Sequence, residues 1–104
     1  MAIKRQVLTG DGDSHVFQVG GATPSSTSVE NVGFQFGGSF NGATVTINTS
    51  MGGSPIDWEA EATTYTDTDA DILNLPSGSL LKFTVSGSGS PIPNIRLTVN
   101  GDVK

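Results

Sequence analysis

The chain contains no cysteine. Neither a disulfide framework nor a thiolate metal site can hold it together, and its stability does not depend on an oxidising compartment. Charge is also scarce: 14% of the residues are charged, five basic against ten acidic, for a formal net charge of −5. An acidic surface repels the nucleic-acid backbone and anionic lipid, so neither nucleic acid nor a membrane is an expected partner. No apolar run approaches the ~18 residues that cross a bilayer as a helix. Lys4 and Arg5 are followed by no apolar stretch, so a signal peptide is not expected. No segment carries a helical apolar period over three turns, which leaves a helix without a face to bury.

Hydroxyls, amides and glycine fill the space that charge leaves. There are 14 glycines, twelve serines and twelve threonines in 104 residues. That length suits one domain with its own two-layer core, since chains below roughly 70–80 residues are the ones that need metal or disulfide staples. Alternating β-branched and aromatic residues separate the chain from a disordered polar one.

Apolar positions alternate, and turn residues interrupt them every 8–12 positions, the pattern of a sandwich or barrel. Residues 3–9 and 15–19 are strand candidates around a Gly-Asp-Gly-Asp-Ser turn. Residues 20–28 are polar, with glycine and proline, and are expected to be a linker or crossing loop. Val32, Phe34 and Phe36 alternate with polar or small residues, and Asn41-Gly42 then suits a type I′ turn. Ala43, Val45 and Ile47 share one face of the next strand. In residues 56–62, Ile56, Trp58, Ala60 and Ala62 are expected on the core face, with Asp57, Glu59 and Glu61 toward solvent. Residues 63–71 are polar, and residues 72–75 form a short apolar piece ahead of a Pro-Ser-Gly turn. Leu81, Phe83 and Val85, then Ile95, Leu97 and Val99, close the pattern. The expectation is an all-β antiparallel sandwich, jelly-roll or Ig-like, of seven or eight strands in one domain over residues 1–104.

Residues that could carry chemistry are few. His15 is the only histidine, and Ser14 beside it is not a spacing that builds a catalytic triad. Asp67, Asp69 and Asp71 resemble the start of a calcium loop, because alternating carboxylates can converge on a hard cation. The EF-hand pattern then fails, with Ile72 where glycine is required and Gly78 where the bidentate glutamate belongs. Asp57, Glu59 and Glu61 sit on one row about 6.5–7 Å apart, but a shared open face supplies no burial to raise the pKa of one of them. The Gly-Gly pairs match no phosphate loop. Catalysis, and any cofactor other than calcium, is therefore not expected.

Gly42-Ala-Thr-Val-Thr-Ile47, a Gly-Gly turn leading to Asp57-Trp58, Leu75-Pro-Ser-Gly78, Leu81-Lys-Phe-Thr-Val-Ser-Gly87 and Pro93-Asn-Ile-Arg-Leu-Thr-Val99 follow one another over residues 39–99. This series resembles small structural proteins of tailed bacteriophages: capsid decoration (cement) proteins, head fibres, or neck and tail accessories. The resemblance implies a non-enzymatic virion protein, assembled in the host cytoplasm. Its partner would be the major capsid protein or another virion protein, and it would be a homo-oligomer, possibly a trimer. Residues 1–10 are then an expected attachment segment, with Ile3, Lys4, Arg5 and Val7 as contact residues, because a basic arm on an acidic body can dock on acidic protein. The alternatives are a carbohydrate-binding or adhesion module, with Tyr65 and Phe40 as exposed aromatic platforms, and a calcium-dependent binding module built on Asp67, Asp69 and Asp71.

Overall fold

The computed structural model describes residues 2–21 and 25–104. Its strands are β1 (Ala2–Leu8), β2 (Gly12–Asp13), β3 (Phe17–Gln18), β4 (Ser25–Ser39), β5 (Thr44–Ser50), β6 (Glu59–Tyr65), β7 (Asp69–Ser77), β8 (Leu80–Ser86) and β9 (Asn94–Gly101). Among the described residues there is no helix. The first sheet has the order β1-β9-β4-β7; the second has the order β2-β8-β5-β6, with β3 also on β8. Every pairing is antiparallel.

β2 and β3 both lie along β8, with Gly12 opposite Val85 and Phe17 opposite Leu81, so they act as one interrupted strand. Counted that way, the first strand pairs with the last (β1 with β9) and the second with the second-last (β2/β3 with β8). The third pairs with the third-last (β4 with β7), and the middle two pair with each other (β5 with β6). The chain is doubled back on itself between β5 and β6 and then rolled, which is the jelly-roll form of the expected sandwich.

Rolling changes the meaning of the turns. Only β5 and β6 are both consecutive in sequence and paired; the other connections between consecutive full-length strands cross from one sheet to the other. Asn41 (φ 50°) and Gly42 (φ 88°) both adopt positive φ, and Ala43 N–H donates to Phe40 O at 3.0 Å, as a type I′ turn requires. The turn nevertheless joins β4 of the first sheet to β5 of the second rather than closing a hairpin.

Three further expectations need correction. Residues 20–28 are not wholly a loop: β4 begins at Ser25, opposite Ser77, while residues 22–24 lie outside the described residues. Residues 69–71, read only as part of a polar stretch, belong to β7, an edge strand that tolerates Pro76 because among the described residues its outer side bonds to no neighbour. Residues 56–58 precede β6, and the apolar row of that segment does not reach the core, although Asp57 and Glu59 are exposed as expected. Tyr65 lies opposite the core residue Val45, so β6 turns Tyr65 inward; Ala60 lies opposite Asn48, and both Ala60 and Ala62 are exposed. Trp58, expected in the core, is only half-buried.

In β4, β5, β8 and β9 alternation holds. Val32, Phe34 and Phe36 of β4, with Leu97 and Val99 of β9, face Val45, Ile47, Leu81, Phe83 and Val85 of the second sheet, and all are buried. Phe83 meets Phe17, Phe34 and Phe36 at ring-centroid distances of 6.2, 5.8 and 5.8 Å. Tyr65 adds contacts to Phe34 and Phe36 at 5.5 and 5.1 Å. Edge-to-face and tilted aromatic pairs of this kind contribute about 0.5–1.5 kcal/mol each beyond their area burial, and here they tie the two sheets together.

Candidate functional site

Residues 2–8 form a full edge strand. They pair with β9 without a break, from Ala2 opposite Gly101 to Leu8 opposite Ile95. Alternation then splits the expected contact residues between two surfaces. Ile3, Arg5 and Val7 stand on the outer face of the first sheet, and Lys4, opposite the core residue Val99, sits on the inward row but is exposed at the edge. Attachment through these residues is therefore a property of an edge and a face rather than of a detached arm.

The outer face of the first sheet collects residues that are far apart in sequence. Val7 lies opposite Arg96, and Arg96 opposite Gly37. A side chain on Gly37 would meet the Arg96 guanidinium, with Nη2 at 3.1 Å, so the missing side chain leaves room for that group. Arg5, Gln6, Val7, Arg96, Leu97 and Thr98 line a groove of about 350 Å³ between β1 and β9. Four of the exposed large apolar residues are on this side: Ile3 (54%), Val7 (54%), Val29 (63%) and Ile72 (64%). The chain's two arginines, Arg5 and Arg96, both occupy outward positions here. Among the described residues no carboxylate occupies an outward position of β1, β9, β4 or β7. Arg96 and Ile72 were legible in sequence only as members of alternating segments. Their place on one face with Arg5 and Ile3 depends on pairing between distant segments: β1 with β9, β9 with β4, and β4 with β7.

Acidic residues gather along β7 and β6, away from β1. Asp69 and Asp71 lie opposite Phe36 and Phe34 on the inward row of β7 but are exposed at its edge. Burial pushes the Tyr65 hydroxyl above its ordinary pKa, and Asp71, Asp69 and Glu61 add to the shift. The calcium candidates do not converge on one point. Asp67, Asp69 and Asp71 each turn Oδ1 back to accept from the next backbone N–H (Thr68 at 2.7 Å, Ala70 at 2.8 Å, Ile72 at 2.8 Å). Among the described residues no three acidic or histidine side chains group as a metal site.

On the outer face of the second sheet, Asn48 Nδ2 donates to Thr84 Oγ1 at 2.9 Å, and Thr84 Oγ1 donates to Asp13 Oδ1 at 2.8 Å. Lys82 Nζ donates to Asp13 Oδ2 at 3.0 Å and lies 4.3 Å from the Trp58 ring centroid. The Lys82 and Thr84 bonds hold the Asp13 carboxyl below its ordinary pKa. Asp11 is lowered by the Ser88 backbone N–H, which donates to it at 2.9 Å. His15 is exposed and packs edge-on against Phe17, with centroids 5.0 Å apart.

Of the carboxylate row, Asp57 and Glu59 line a cleft of about 490 Å³ at one end of the sandwich, with Ser50, Met51, Pro76 and Ser79 among its walls. Glu61 does not line it, so the three carboxylates are not one constellation. Phe40 and Tyr65, the expected aromatic platforms for a sugar, are buried at 5% and 7% exposure and offer no face to a ligand. No family model, curated protein or solved structure matches the chain significantly.

Proposed function

We propose that this protein is a non-enzymatic virion structural protein of the decoration type. It would lay the outer face of its β1-β9-β4-β7 sheet on an acidic surface of the major capsid protein or of another virion protein. The observation that carries this reading is the segregation of charge. A chain of net charge −5 places both arginines, four exposed apolar side chains and no described carboxylate on one sheet face. Such a face attracts an acidic partner electrostatically, and its isoleucines and valines supply apolar area worth roughly 25 cal/mol per Å² buried. Jelly rolls occur in both capsid and lectin domains, so the fold agrees with the reading by analogy only.

Quantitative mass spectrometry of purified virions encoded by the same genome is the direct test. The protein should be present in many copies per particle, and its absence from washed particles would end the proposal. Rebinding to particles stripped of it should weaken at least about tenfold for an Arg5→Glu/Arg96→Glu variant with an unchanged β circular-dichroism spectrum. Substitution is preferable to deleting residues 1–10, because β1 covers β9 along its whole length.

A further inference from the structure

We infer that copies of this chain join side by side, β1 of one copy adding to β7 of the next to continue the first sheet. This does not rest on the virion reading, since it concerns only the two ends of one sheet. β1 and β7 are the outermost strands of the order β1-β9-β4-β7, and among the described residues each bonds to a neighbouring strand on one side only. An open edge of this kind is a template for strand addition. The three pairings within the sheet are antiparallel, so β1 and β7 run in opposite directions. A second copy translated along the sheet therefore presents β1 antiparallel to β7, with its inward face still inward.

Side chains match in that position without any slip of register. One cross-strand row reads Lys4, Val99, Phe34, Asp71, so translation brings Lys4 of one copy opposite Asp71 of the next. The adjacent row reads Ile3, Asn100, Gly33, Ile72 and brings two exposed isoleucines together on the outer face. β1 carries Lys4 and Arg5 and no acid, whereas β7 carries Asp69 and Asp71 and no base. Pairing β1 with β1, or β7 with β7, would oppose like charges, so the contact is head-to-tail. Such a contact closes into a ring or extends as a filament according to the twist between copies.

Sedimentation velocity across a concentration series tests this. The wild-type chain should assemble beyond a dimer, and added salt should weaken the assembly. Lys4→Asp and Asp71→Lys should each weaken assembly about tenfold or more. Mixing the two variants in equal amounts should restore it, because each then finds an oppositely charged edge on the other. Restoration also shows that both variants are folded. A wild-type chain that stays monomeric up to millimolar concentration would overturn the inference. So would an assembly indifferent to both substitutions, or a dimer that responds to Lys4→Asp alone. Loss of particle binding by the Arg5/Arg96 variant with intact self-association would separate the outer face from the edges.

Discussion

Trp58 and Phe83 illustrate how much an aromatic residue's contribution depends on where it lies. Phe83 is fully buried and touches three other aromatic rings, whereas Trp58 is half-buried and its described partner is the Lys82 ammonium. Phe83→Ala should cost about 3–5 kcal/mol, the range for emptying a core aromatic site. Trp58→Ala should cost about 1 kcal/mol, the scale of a partly exposed cation–π contact. Urea unfolding followed by circular dichroism measures both, and equal losses would contradict the placement of Trp58. Asp13 makes a pH-dependent contribution. Its folded pKa lies below the ordinary 3.8, so the folded chain binds this proton less tightly than the unfolded chain. The stabilisation is complete above pH 3.8 and disappears as pH falls through the lower folded value. Because the site is largely exposed, the effect is below about 1 kcal/mol after solvent screening. Asp13→Asn should remove that increment at neutral pH and flatten the acid limb of the stability curve, which thermal melts between pH 2 and 6 would record.

At the scale of the element, the end of β4 is the most constrained segment. Gly38 has φ 85°, and a side chain there would run into the Asn94 carbonyl oxygen of β9. Neither the αL-type backbone nor the neighbouring main chain can yield cheaply, so Gly38→Ala should destabilise the fold by about 2 kcal/mol or more. Hydrogen exchange should show the loss at the β4–β9 pairing around Gly38, Ile95 and Asn94. A drop below a few tenths of a kcal/mol would mean that the strand ends adjust freely. Alternation along single strands was legible in advance: Val32, Phe34 and Phe36, then Ala43, Val45 and Ile47, then Ile95, Leu97 and Val99 are buried as their period of two required. Residues 56–62 failed for a physical reason. A period of two defines two faces but does not say which one meets the core, and the pairing of Tyr65 with Val45 decided it.

The whole molecule is dominated by contacts between distant segments. β1 pairs with β9 from one end of the chain to the other, and β2 pairs with β8. Loop-closure entropy must be overcome before most pairings form, so folding should take milliseconds to seconds, as in other non-local β proteins. Stopped-flow refolding checks this, and a microsecond phase carrying the full amplitude would be inconsistent with the topology.

Composition and alternation alone determined that the chain is all-β and antiparallel, in the pattern shared by sandwiches and barrels, because apolar burial and strand formation follow from residue order over a few positions. They also determined that its polar character is carried by hydroxyls and amides. Only the tertiary structure decided that the turns cross between sheets, that Trp58 faces outward, and that Arg5 and Arg96 share one sheet face while Lys4 and Asp71 end one cross-strand row. Those outcomes depend on which strand lies beside which. Strand pairing is chosen by the global balance of burial and chain entropy, and no local pattern encodes it.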